Sequence, residues 1–181
     1  MVFLTHFRGR IVSLVFVLAV AQGIVRAQSA GEYELKAAFL YKFAGFVQWP
    51  DDSPADDICI GVVGQDPFGP VLNAVVNGKI LNGRSFTVRR SPNARDLPAC
   101  QIVFISSSER PRLRAILHQL RPGALTVGEM PGFCEGGGII GFELADRRVR
   151  LRINLEAAQR ARLQISSKLL SLAKLVEGVE Q

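Results

Sequence analysis

The chain has 181 residues, a formal net charge of +6 and 48% hydrophobic residues, which is a prior for one domain with a sizeable core. Arg8, Arg10 and Arg26 fall in a leader-like N-terminus, and without them the charge is only +3. That weak balance argues against a nucleic-acid partner.

Arg8 and Arg10 precede an apolar run from Ile11 to Ala21, and Val25-Arg26-Ala27 supplies small residues at a cleavage site. This is the layout of a secretory signal peptide over residues 1–27. The alternative is an uncleaved anchor. The run from Ile11 to Ile24 is 14 residues and holds Ser13, Gln22 and Gly23, whereas a spanning helix needs about 20 apolar residues. The expected product is an exported, periplasmic chain of residues 28–181, whose cysteines meet an oxidising compartment.

From Glu32 to Val47 the spacing predicts a helix, with Leu35, Ala38, Phe39, Phe43, Phe46 and Val47 at three- and four-residue steps. Trp49-Pro50 stops it. Asp51 to Asp57 reads as a loop. Ile58 to Val63 is a continuous apolar run, the pattern of a strand covered on both faces. Pro67 is placed to open a second helix, which runs to about Val76 and ends at Asn77-Gly78. Ser85 to Arg90 alternates as a half-exposed strand. Cys100 to Ile105 is a second buried strand, and Ser106 to Ser108 can cap a helix from Glu109 to Leu120. Pro122-Gly123 breaks that helix, and Leu125 to Val127 is a third buried strand. Ile139 to Leu144 and Arg148 to Asn154 form a hairpin about Asp146-Arg147. Asn154 then caps a helical region from Leu155 to Val176, which Ser166-Ser167 divides in two. Strands alternating with helices before a hairpin predict an α/β fold: one three-layer domain, its sheet mixed but mostly parallel.

Few residues offer chemistry. His118 is the one histidine beyond the leader and reads as a surface residue. A lone histidine and scattered cysteines make no zinc site. Gly61 to Gly64 lacks the spacing of a phosphate-binding loop, and Ser106 to Ser108 lacks a nucleophile-elbow context. Glycines 136 to 138 suit tight backbone geometry. The expectation is no catalytic residue, no metal and no cofactor.

Cys59 and Cys100 each open a buried strand. Parallel neighbours would bring their Cα atoms within the range of about 4.4–6.8 Å that a disulfide requires, and two buried free thiols are the alternative. A bridge closing that loop would contribute roughly 4 kcal/mol in the chain-entropy picture. Cys134 is left over, a free thiol or an intermolecular partner. Arg148, Arg150 and Arg152 alternate with Val149, Leu151 and Ile153. They form either a solvated face whose charges discourage edge pairing or a docking stripe for an acidic partner or lipid headgroups.

Several landmarks in order carry a family likeness. They are Lys36 to Phe43 with Phe46-Val47-Gln48-Trp49-Pro50, Cys59 to Gly64 with Pro67-Phe68-Gly69, and Cys100 to Ser106. Gly137-Gly138-Ile139-Ile140, Arg150 to Leu155 and Ile165 to Leu170 follow. Together they resemble the YfiR family of exported bacterial proteins. The resemblance implies an α/β fold, a homodimer and a non-enzymatic periplasmic regulator. Such regulators bind the periplasmic sensor domain of an inner-membrane diguanylate cyclase and hold it inactive. An outer-membrane lipoprotein sequesters the regulator, after which cyclic-di-GMP rises and favours biofilm. The resemblance also implies a disulfide at Cys59 and Cys100. Some members carry a second pair whose partners match Cys134 and position 141; here position 141 is Gly141, so that bridge is absent. A second class of function stands beside this one: a periplasmic small-ligand binder with a pocket at the sheet switch point, lined by Phe68, Phe104 or Trp49.

Overall fold

Three continuous apolar runs build the centre of an eight-stranded sheet. The computed structural model describes residues 31–50, 57–97 and 100–176. The leader over 1–27 and all but the last residue of the loop before Ile58 lie outside them. The chain divides after Tyr33 into two units. Residues 31–33, the described part of the first, are helical. The second unit is the α/β fold.

Its first helix, α1 (34–46), runs into a two-residue strand, β1 (Val47–Gln48). Then come β2 (Ile58–Val63), α2 (Pro70–Val76), β3 (Ile80–Leu81), β4 (Arg84–Ser91) and β5 (Ile102–Ile105). A 3-10 turn over Ser107–Arg112 leads to α3 (Leu113–Gln119), β6 (Leu125–Gly128), β7 (Ile140–Ala145) and β8 (Arg148–Asn154). The chain closes with α4 (Leu155–Arg160), β9 (Gln164–Ile165), α5 (Ser167–Leu170) and β10 (Ala173–Val176). The sheet order is β10-β8-β7-β6-β5-β2-β4-β3. Strands β4, β2, β5, β6 and β7 are parallel to their neighbours within this block; β3, and β8 against β7, run antiparallel. The four strands β4-β2-β5-β6 have the doubly wound order 2-1-3-4, with the reversal of connection between β2 and β5.

Every residue of β2, β5 and β6 is buried, because helices cover both faces. On one face α1 packs its phenylalanines against β7: Phe39 and Phe43 lie 6.0 and 6.1 Å from the Phe142 ring. Phe68, before α2, meets Phe104 of β5 edge-on at 4.8 Å. On the other face Val63, Val103 and Ile105 pack with Leu113, Ile116, Met130 and Phe133. Lys36 of α1 is 4% exposed and pairs with Glu129, just after β6, at 2.6 Å. A buried ion pair of this kind requires both partners, since removing one leaves a desolvated charge.

The structure corrects several local expectations. Pro67 does not open α2. Asp66 Oδ1 accepts from the Phe68 N–H at 2.8 Å and holds Pro67 in a turn, and Pro70 takes the first helical position. The helix after Ser106 begins as a 3-10 turn around Pro111, and α3 starts only at Leu113. The largest departure is the region Leu155 to Val176, which is not a helix or a pair of long helices. Asn154 does cap α4, accepting from the Ala157 N–H at 2.9 Å. Arg162, at φ +58, then ends it. The Leu163 and Arg162 N–H groups donate to Ala158 O and Gln159 O at 2.9 and 2.8 Å, the bonding of a Schellman cap. Beyond it β9 pairs antiparallel with β1, and β10 adds to β8 as a parallel strand.

The glycines after Cys134 have a packing role. A Cβ on Gly138 would lie 2.2 Å from the Phe133 ring, and one on Gly128 would lie 2.5 Å from it. Phe133 therefore fills a slot that two missing side chains create. Phe133→Ala should lower the unfolding free energy by about 3–5 kcal/mol, read as a shift of the urea midpoint at unchanged slope.

Candidate functional site

A doubly wound sheet ordinarily binds ligands in the crevice beyond the carboxyl ends of its strands, at the reversal point. Here that crevice is occupied by the protein's own side chains. Gly64 follows β2 at φ +86, and a Cβ there would meet Ser108 Oγ and Glu109 Cγ at 2.6 Å. Glu109 is buried and accepts from Arg112 Nε at 3.0 Å. The Gln65 N–H donates to Ser108 Oγ at 3.1 Å, and Ser106 Oγ accepts from the Ser108 N–H. The serines are thus a cap and a plug. Phe68 and Phe104 are buried against each other and line no opening there. Trp49 alone of the three aromatics borders a cleft, at the opposite end of the strands. His118 sits in the last turn of α3. Among the described residues no group of three His, Cys, Asp or Glu side chains is placed to hold a metal ion.

The cysteines follow the strand pairing. β2 and β5 are parallel neighbours, with Ile60 opposite Ile102, so Cys59 and Cys100 fall at the same end. They are bonded, with Cα atoms 4.4 Å apart. Gly61 lies under this bridge: a Cβ there would be 3.3 Å from Cys100 Sγ and 2.9 Å from Leu97. The glycines of this run serve packing.

Cys134 is a buried free thiol. Burial, with the nearby Glu135 charge adding to it, pushes its pKa up to about 11. The thiolate is the nucleophile in cysteine chemistry, so this sulfur is inert at neutral pH. A Cβ on Gly141 would stand 3.2 Å from its Sγ. The site keeps room for a second bridge whose other half is missing.

The arginine stripe is less uniform than its spacing implies. β10 pairs with residues 151–154 of β8, which covers Arg152, while among the described residues no strand covers the stretch with Arg148 and Arg150 on that side, so their charges still stand at an edge. The three residues point to one face but differ in setting. Arg152 is half-buried and bonds Glu135. Arg150 is exposed, pairs with Asp146 at 3.0 Å and lies opposite Glu143 of β7. Arg148 is exposed at the start of the strand, beside the turn in which Asp146 and Arg147 both take positive φ. Neighbouring carboxylates thus offset two of the three charges.

Sequence reasoning missed Gln101. It lies between Cys100 and β5, is 1% exposed, and its Oε1 accepts from the Cys59 N–H at 2.8 Å. An amide inside an otherwise apolar run was the available signal.

The sequence matches the YfiR/HmsC-like family over residues 33–174. The chain belongs to that family. The match takes in α1, the whole sheet except the last two residues of β10, and all three cysteines. No curated protein matches the chain. Among solved structures it is similar to a conserved domain protein from Vibrio cholerae O1 biovar El Tor, at 12% identity and a TM-score of 0.54, over 79% of this chain and 59% of that one. It is also similar to the ABC domain in complex with L-Trp from Streptococcus pneumoniae, at 8% identity and a TM-score of 0.53, over 77% and 60% of the two chains. The chain spans about three fifths of each, and at these identities the likeness concerns the fold alone.

Three measurements probe the thiol. Alkylation of Cys134 at pH 8 should be negligible in the folded protein and rapid in denaturant. Because the folded pKa is raised, the unfolded chain loses this proton first. Stability should therefore be unaffected below pH 9 and fall as pH rises from 9.0 towards 11. Gly141→Cys should bond to Cys134, giving one extra cross-linked peptide in a non-reducing digest; two free thiols in the oxidised variant would contradict the geometry.

Proposed function

We propose that this chain is a non-enzymatic periplasmic regulator that binds the periplasmic sensor domain of an inner-membrane diguanylate cyclase and thereby lowers cyclic-di-GMP signalling. The observation that carries the reading is the family match over residues 33–174. In this proposal residues 1–27 are a signal peptide and residues 28–181 are the mature domain. N-terminal sequencing of periplasmic material should then begin near Gln28. Among the described residues no helix is long and apolar enough to cross a membrane. The regulator acts as a homodimer, and an outer-membrane lipoprotein that captures it releases the cyclase and favours biofilm.

Inhibition by contact needs a surface, and the β7-β8-β10 end of the sheet offers one. Leu144 is 53% exposed, and Leu172 and Leu175 are 65% and 52% exposed. Arg148 and Arg150 offer a second, charged surface, because the register puts them on the opposite face of the sheet from Leu144 and Leu175. Charges on such a face steer association more than they hold it.

Deleting the gene should raise cyclic-di-GMP, and crosslinking in membranes should capture a cyclase. Exchanging both Arg148 and Arg150 for glutamate reverses charge while leaving buried Leu151 in place. The melting temperature should stay within a few degrees, while binding to the cyclase sensor domain weakens by about tenfold. A deletion strain with unchanged cyclic-di-GMP and no membrane partner would remove the cyclase reading altogether.

A further inference from the structure

At the amino-terminal ends of β2 and β5 the sheet opens on a cleft of about 360 Å³, towards the small end of ligand pockets. Two of the side chains that line it carry a buried donor without an acceptor. Gln101 is held on three sides: its N–H donates to Cys59 O at 3.1 Å, its carbonyl accepts from the Leu125 N–H at 2.8 Å, and Oε1 accepts from the Cys59 N–H. With Oε1 committed, the amide orientation is set and the NH2 group is the one left over. Gln101 Nε2 is buried and has no hydrogen-bond acceptor among the described residues. Trp49 Nε1 is in the same condition and lines the same cleft. Its position is set by the β1–β9 pairing immediately before it.

Buried N–H groups without acceptors are destabilising, and native proteins keep few of them. Two on residues that line one cleft form an acceptor-seeking pair. Arg84, whose guanidinium donates to Asp57 O at 3.3 Å, is the charged residue on the wall; no aspartate or glutamate lines it among the described residues. The remaining wall is largely apolar, with Val47, Ile58 and Leu81.

We propose that this cleft binds a small amphipathic carboxylate. Its oxygens accept from Gln101 Nε2–H and Trp49 Nε1–H beside the Arg84 charge, and its apolar body lies against Val47, Ile58 and Leu81. The inference does not rest on the regulator reading. The ligand would seat next to the Cys59–Cys100 bridge, on the strand pair at the centre of the sheet.

Trp49 is the chain's single tryptophan, so its emission reports the site directly. Hexanoate should shift that emission saturably in the oxidised protein, whereas 1-hexylamine should not and 1-hexanol should bind at least about tenfold more weakly. Gln101→Glu keeps an oxygen for the Cys59 N–H and replaces the donor with a second oxygen. It should weaken hexanoate by about tenfold or more, with a thermal melt confirming the fold. Should that variant fail to fold, Trp49→Phe, which keeps a ring and loses the N–H, is titrated by calorimetry and should also bind more weakly. The proposal is overturned by no saturable response to hexanoate, by equal binding of hexanol, or by a folded Gln101→Glu or Trp49→Phe that binds hexanoate as the parent does.

Discussion

Strands β2 and β5 are buried on both faces, and much else follows from that one constraint. A strand inside a three-layer fold has no water to satisfy its polar groups, so every donor and acceptor must find a partner within the protein. The ladder does this along the strands. At their amino ends the Cys59–Cys100 bridge and the Gln101 clamp tie the two strands together beside the cleft. At their carboxyl ends Ser106, Ser108 and Glu109 close the seam against Gly64.

That closure shapes what the fold can do. The crevice where doubly wound sheets usually hold a cofactor is packed with Glu109 and its serine neighbours, and Phe68 and Phe104 are spent on the core beneath. Open space is left at the other end of the strands, in the cleft that Trp49 and Gln101 line. The remaining chemistry is displaced to surfaces. The β10 extension carries exposed leucines beyond the buried centre, and β8 beside it carries the arginines. A protein of the YfiR/HmsC-like family built this way is suited to being recognised, and the amino-end cleft lies beside the disulfide of the central strand pair.

Cys134 illustrates how one position decides chemistry. The slot between Cys134 and Gly141 has the spacing for a bridge, yet the thiol has no partner sulfur and sits in a setting that keeps it protonated. The sulfur acts as a core atom, packed beside the Phe133 slot that Gly128 and Gly138 leave open.

The sequence alone determined the elements whose burial is written as continuous runs. Ile58 to Val63 was legible to the residue, and the cores of β5 and β6 followed, because a strand covered on both faces must be apolar throughout. The hairpin at Asp146-Arg147 and the capping role of Asn154 were legible because turn and cap chemistry is local. The parallel placement of Cys59 and Cys100 followed from the same runs. What lies after Ala161 was decided only in three dimensions. The stop at Arg162 uses a left-handed residue that is not glycine, so no local signal marked it. Residues 173–176 became a strand because the open edge of β8 offered backbone partners, although their spacing suits a helix. The role of Gln101 was likewise invisible: an amide in an apolar run marks a buried polar group, but only the folded chain shows that the Cys59 N–H takes its oxygen and that its nitrogen is left over beside Trp49.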